Sequence, residues 1–221
     1  MFITFEGIEG CGKTTQVQRL EKLVGRHGIP LVKTMEPGGT GIGADIRKIL
    51  LDAENKEMAP LAELLLYSAD RTQHVEEVIR PALREGKWVL CDRFFDATIV
   101  YQGWARGLDV VFIQSLNEKA SQGILPDITF LLDCPVEIGL KRALKRNLSS
   151  QNGQDRFEKE KLQFHDKVRE GYLTLARKER NRFIVIDATR SVKSVEKNIS
   201  DYVMPFIRET GGLGRRKERD G

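Results

Sequence analysis

Gly7-Ile8-Glu9-Gly10-Cys11-Gly12-Lys13-Thr14 follows the apolar run Phe2–Phe5 and precedes Val17, Leu20, Leu23 and Val24, which recur at helical spacing. Strand, glycine-rich turn and helix, in that order, are the setting in which Gly-x-x-x-x-Gly-Lys-Ser/Thr holds phosphate. Glycines let the chain curl so that successive backbone N–H groups point inward at phosphate oxygens. The helix that follows adds its positive N-terminal end. Lys13 supplies a full charge for the β and γ phosphates of a nucleoside triphosphate, and the Thr14 hydroxyl is suited to ligate Mg²⁺. Gly7, Ile8, Glu9, Gly10, Cys11, Gly12 and Thr15 form the rest of the cradle.

Outward from this loop, four more short runs read as strands: Leu31–Thr34, Trp88–Cys91, Ile128–Leu132 and Phe183–Ile186. Most are continuously apolar, as strands covered on both faces should be. Helical patterns separate them, including a region from about Pro60 to Leu83 that Pro81 should bend or end. A second apolar stripe comprises Val192, Val195, Ile199, Tyr202, Val203 and Phe206. Alternating strands and helices predict an α/β fold of the P-loop NTPase kind, a five-stranded parallel sheet flanked by helices, with a mobile lid. One P-loop domain is expected over 1–209. Its lid, at about 142–157, is built on the polar stretch Asn147–Gln154 between Arg142, Arg146 and Arg156. Residues 210–221, with Arg215, Arg216, Lys217 and Arg219 among glycines, read as a disordered basic tail.

Composition narrows the setting. Hydrophobic and charged fractions of 40% and 31% over 221 residues are those of a globular chain. No apolar run approaches the roughly 20 residues that span a bilayer, and the N-terminus lacks a signal peptide's basic start and apolar core. Three cysteines without paired spacing fit a reducing cytosol, so a cytoplasmic protein with no membrane partner is expected. The net charge of +4 is mild and owes much to the tail. No aromatic-basic pattern accompanies it, so nucleic acid is not expected as a partner. Cys91 and Cys134 read as buried fillers, and Cys11 as a small side chain tolerated between glycines. His27, His74 and His165 lack zinc spacing and receive no catalytic or metal role; Trp88 and Trp104 read as packing residues.

Other triphosphate-binding classes need further signatures. Asn55-Lys56-Glu57-Met58 is the nearest string to a guanine-reading Asn-Lys-x-Asp and fails, and no Leu-Ser-Gly-Gly-Gln is present. A small kinase needs a second phosphate site, a metal carboxylate and a lid, and each has candidates. Asp92 ends the third strand with Arg93 beside it, while Arg47 and Arg71 lie on helical segments between the second and third strands.

Five further strings complete a specific set: Glu36-Pro37-Gly38-Gly39-Thr40, Asp70-Arg71-Thr72-Gln73-His74, Asp92-Arg93-Phe94, Tyr101-Gln102-Gly103 and Leu131-Leu132-Asp133-Cys134-Pro135. With the opening loop, they make the chain resemble the thymidylate kinase family from Met1 to about Ile207. The resemblance implies Mg²⁺-dependent transfer of the ATP γ-phosphoryl group to dTMP, in a homodimer. Asp92 would join Thr14 at the metal. Arg71 would bind the thymine edge, with Thr98 and Gln102 near the base, and Arg47 and Arg93 would hold the acceptor phosphate. Glu9 would meet the sugar 3′-OH, Tyr101 would occupy the place of a 2′-OH, and Glu36 would order the acceptor site. The loop carries no arginine, so the lid should supply the transition-state cation, as in the type common in bacteria. Among Arg142, Arg146 and Arg156, Arg156 is favoured for the transferring phosphoryl and Arg146 for adenine or phosphate. The segment around Arg190 would contact adenine. Tyr67 stands where phenylalanine usually stacks on thymine, Ala97 where serine is frequent and Phe94 where tyrosine is. Another nucleoside-monophosphate kinase, with dUMP the nearest acceptor, and a non-catalytic ATP-binding protein are the alternatives.

Overall fold

The five apolar runs form five strands: β1 (Phe2–Glu6), β2 (Leu31–Met35), β3 (Trp88–Asp92), β4 (Ile128–Asp133) and β5 (Phe183–Asp187). Each continues one residue beyond its apolar run, onto Glu6, Met35, Asp92, Asp133 and Asp187. The ladder uses backbone groups, so a polar side chain at the carboxyl edge does not end it; Phe5 pairs with Asp92 and Asp133 with Asp187. The computed structural model describes residues 1–150, 156–158 and 160–217, with backbone alone at 147–150 and 211–217.

All pairings are parallel, in the order β2-β3-β1-β4-β5. β1 therefore lies between β3 and β4, and the chain changes direction across the sheet there. A crevice opens at the carboxyl ends of strands at such a switch point, which puts the loop after β1 and Asp92 at its floor. β1 is buried along its whole length, whereas Val185 on the edge strand β5 is exposed.

Helices cover both faces. One core gathers α1 (Lys13–Arg26), α8 (Leu162–Lys178) and α9 (Val192–Lys217) around Phe5, Leu90 and Phe130. The other packs Leu64, Val75 and Ile79 on Phe2, Val89 and Cys91. α2 (Gly41–Leu51), α6 (Val110–Ser121) and α7 (Val136–Ser150) complete the layers. The helical region after Pro60 comprises α3 (Pro60–His74), a wide π-type turn (Val75–Ile79) and α4 (Arg80–Arg84). Pro81 lacks an N–H and its ring crowds the carbonyl one turn back. The wide turn immediately before it gives that carbonyl room, and the helix stops three residues later. A second wide turn, Ile99–Ala105, extends α5 (Phe95–Thr98) and carries Tyr101 and Gln102.

The stripe on α9 is rotated from expectation. Val195, Ile199, Val203 and Ile207 are buried at strict four-residue spacing, while Val192 and Tyr202 are exposed. Packing against α1 and the edge strand β5 selects one narrow face. The helix continues to Lys217, within the segment set apart as a tail, and residues 218–221 lie outside the described residues. Among the described residues, no helix is long and apolar enough to cross a membrane.

Candidate active site

The loop between β1 and α1 owes its shape to glycine. Gly7, Gly10 and Gly12 have φ of 135°, 71° and 103°, which L side chains rarely adopt. Its fit is also close. A Cβ on Gly10 would lie 2.0 Å from the Gly139 carbonyl oxygen of α7, and one on Gly139 would lie 2.6 Å from the Glu9 carbonyl oxygen. Lys13 folds back over the loop, its Nζ donating to the carbonyls of Gly7 (3.0 Å) and Ile8 (2.9 Å). Thr14 and Thr15 are exposed on the first turn of α1, and the Thr14 hydroxyl donates to Asp92 Oδ2 at 2.6 Å. Hydroxyl and carboxylate together offer hard oxygen donors suited to a small divalent cation beside the loop. Cys11 is buried, and burial pushes its thiol up despite Lys13 at 3.6 Å, so it behaves as a filler. Cys91 and Cys134 are buried and free as well.

Glu9 turns from this loop into the second half of the crevice. Its Oε1 accepts from Arg93 Nη2 at 2.9 Å and from the Tyr101 hydroxyl at 2.6 Å. Burial alone would raise its carboxyl. Arg93, His165, Lys13 and Tyr101 outweigh that and hold it well below the usual range, so Glu9 is an anion at any working pH. Arg93 is one of two non-glycine residues with positive φ, 71°, among those described. It is locked there by Glu9, by the Tyr172 hydroxyl at 3.1 Å and by the Tyr101 ring 4.9 Å below its guanidinium.

Deeper in, Arg71 is almost wholly buried. It donates to Glu36 Oε2, Asn117 Oδ1 and Thr98 Oγ1, each at 2.9 Å. The other Glu36 oxygen lies 3.0 Å from His74 Nδ1, and His74 Nε2 lies 2.6 Å from Thr34 Oγ1. Asp70 Oδ1 accepts from the Gly38 amide, and burial, with Glu36 nearby, lifts the Asp70 carboxyl to about 6. Arg47 donates to the Pro37 carbonyl at 2.8 Å. Arg47, Arg71, Arg93, Tyr67, Thr98 and Tyr101 line one cleft of 440 Å³ with Glu9, Lys13, Thr14 and Asp92. Glu36 and Gln102 line it too. Burial, with Glu63 beside it, raises the Tyr67 phenol, which stays neutral.

The four cationic residues assigned to the lid and adenine side separate. Arg146 lines the cleft, paired with Glu158 at 3.1 Å. Arg156 does not line it. Its guanidinium is buried, donating to Glu63 Oε2 at 2.5 Å and the Leu50 carbonyl at 2.6 Å, and stacked over Phe157. Arg142 reaches the Ala188 carbonyl at 3.0 Å and Arg190 bonds Asp187 at 3.0 Å, so both flank the loop after β5. Of the polar stretch, residues 147–150 continue α7, and 151–154 lie outside the described residues.

The structure adds residues that motif reading passed over. Glu63 gathers Gln102, Arg106 and Arg156. Asn117, His74 and Tyr172 hold the arginines and Glu36, Gly139 admits the loop, and His165 lies behind Glu9. A buried glutamate inside a leucine-rich helix carries no sequence mark, and its partners lie far along the chain. Only the small residue at 139, inside a helix where glycine is costly, was a local signal.

The thymidylate kinase family model matches residues 5–199. The chain is 59% identical over 192 residues to the thymidylate kinase of Desulfosudis oleivorans, covering 85% of this chain and 89% of that protein. It is 54% identical to that of Geotalea daltonii, over 92% of this chain and 96% of the relative. Its fold is similar to the crystal structure of thymidylate kinase from Ehrlichia chaffeensis, with TM-score 0.73 and 34% identity. That match covers 92% of this chain and 98% of the other.

Proposed function

This chain belongs to the thymidylate kinase family, and from that premise we propose how its residues share the reaction. The activity is transfer of the γ-phosphoryl group of ATP to dTMP, giving dTDP and ADP. Glu9 carries the assignment of the site. It belongs to the triphosphate loop, yet it is bonded to Arg93 and Tyr101, so donor and acceptor halves share one wall of the 440 Å³ cleft.

On the donor side, the loop amides and Lys13 hold the phosphates of ATP, while Arg142 and Arg190 flank the adenine. Thr14 and Asp92 hold Mg²⁺, which when bound neutralises charge on the phosphate oxygens. On the acceptor side, Arg47 and Arg93 grip the dTMP phosphate, a role that suits a planar guanidinium. Arg71, held in plane by Glu36, Asn117 and Thr98, faces the base edge, with Gln102 beside it and Tyr67 stacking. Glu9 accepts from the sugar 3′-OH, and Tyr101 fills the space of a 2′-OH. Phosphoryl transfer needs alignment and charge neutralisation; the acceptor phosphate is already an anionic nucleophile, so no general base is required. Arg146 delivers cationic charge from the lid side. Arg156 reaches the transferring phosphoryl only by leaving Glu63.

An ADP-release assay across dTMP, dUMP, dGMP, dCMP and AMP tests the acceptor assignment. dTMP is expected to lead, and preference for any other acceptor overturns it. One methyl separates dUMP from dTMP and is worth about 1–3 kcal/mol in such a pocket, so dUMP should be a weak second. A single kinase domain over 1–209 with a lid near 142–157 is part of the same proposal. So is a homodimer, supported by exposed apolar residues on α2, α3 and α6. A cytoplasmic setting is proposed as well, supported by three free cysteines.

A further inference from the structure

His165 lies on α8, fully buried, and neither ring nitrogen has a hydrogen-bond partner among the described residues. Its Nδ1 is 3.5 Å from Glu9 Oε2, which is also buried and without a partner. Buried polar atoms are rarely left so, and here two of them face each other across one gap. A shortening of about 0.5 Å makes an ordinary N–H···O bond of it. A phenylalanine or leucine would fill the same volume without an orphaned nitrogen, so packing alone does not account for the imidazole.

We infer that His165 is a positioning residue for Glu9 and thereby tunes selection of acceptor nucleotides that carry a sugar 3′-hydroxyl. The inference rests on the assignment of Glu9 to that hydroxyl. Glu9 Oε1 is held by Arg93 and Tyr101, both on the cleft wall and both available to the acceptor. When Arg93 engages the acceptor phosphate, its hold on Glu9 weakens. His165 is off the cleft wall and holds Oε2 from behind, where no substrate competes for it. In the Nδ1–H tautomer it donates to the carboxylate and leaves Oε1 turned toward the sugar.

The test compares dTMP with 3′-deoxythymidine monophosphate as acceptor, for wild type, E9A, H165F and H165N. Asparagine keeps an N–H donor close to the place of Nδ1. H165F should raise KM for dTMP roughly tenfold, the lower end of the value of one hydrogen bond to a charged group, with kcat little changed and KM for the 3′-deoxy acceptor unmoved. H165N should restore most of the dTMP value. In the E9A background, H165F should add nothing to the ratio of the two KM values. If E9A weakens both acceptors equally, the assignment of Glu9 to the 3′-hydroxyl fails. If E9A is selective for dTMP but H165F weakens both acceptors equally, or neither, the positioning role fails while that assignment stands. Should H165F not fold, H165L takes its place in the same comparison, and equal effects on both acceptors again overturn the role.

Discussion

At the scale of single residues, two buried carboxylates show how environment decides behaviour. Glu63 accepts from Arg156, Gln102 and Arg106, and Arg156 is itself buried. Removing one partner of a buried ion pair leaves a charge without compensation. Arg156→Ala is therefore expected to cost about 3 kcal/mol, toward the low end for such pairs because Arg106 and Gln102 remain. Urea denaturation reads this directly, and an unchanged midpoint would mean that the pair does not anchor the segment around residue 156. Asp70 makes the opposite case. Burial raises its carboxyl from the usual 3.8 to about 6, so between those values the native protein binds a proton that the unfolded chain has released. Stability is fully present below pH 3.8, falls as pH rises toward 6 and stays lower above it. The loss is about 3 kcal/mol at most. Asp70→Asn can keep an acceptor for the Gly38 amide and removes the titration. Its stability relative to wild type should improve between pH 4.5 and 7.5, and parallel pH profiles for the two proteins would refute this.

At the scale of elements, the meeting of the phosphate loop with α7 governs the site. Gly10 and Gly139 touch backbone to backbone, and any side chain at 139 would press on the Glu9 carbonyl and on Ile8. Gly139→Ala would ordinarily favour a helix interior, yet here it should displace the loop. The variant is expected to keep a cooperative melt while losing on the order of tenfold to a hundredfold in kcat, as misplaced catalytic groups do. Turnover equal to wild type would show that the loop tolerates the contact. Strands and the phosphate loop were legible in the sequence because each is a local pattern: apolar runs of strand length, and glycines at fixed offsets before Lys13. The rotation of α9 was not, since the choice between Val192 or Tyr202 and Ile207 for the buried face depends on how α1 packs. The site divided along the same line. Asp92 and Arg93 follow from a strand end, and Arg71 from a motif, whereas the turn of Arg156 away from the cleft depends on Glu63, far away in sequence. The same holds for His165, which has no metal spacing in the sequence and lies against Glu9 in the fold.

At the scale of the whole molecule, the helices that close the acceptor side leave an apolar face open. Ile42 and Ile49 on α2, Leu61 and Leu65 on α3, and Val111 and Phe112 on α6 are all exposed, with Val111 at 73%. α3 packs against both α2 and α6, so the helices that carry these side chains are neighbours. Scattered exposed leucines need no explanation, whereas apolar side chains gathered on adjacent helices support the proposed dimer interface. A self-complementary patch gives a twofold dimer, and a stable one buries about 800 Å² on each partner, within reach of three helices. α2 and α3 carry Arg47, Tyr67 and Arg71 on the cleft side, so association would brace the proposed acceptor wall from behind. Sedimentation equilibrium should give about twice the 25.1 kDa chain mass for the wild type. Leu65→Glu puts a charge at the centre of the face and should yield the monomer, with KM for dTMP raised more than KM for ATP. A wild type that sediments at the chain mass would refute the dimer. A Leu65→Glu protein that remains dimeric would move the interface to another face, and a monomer with unaltered KM for dTMP would uncouple association from the acceptor wall.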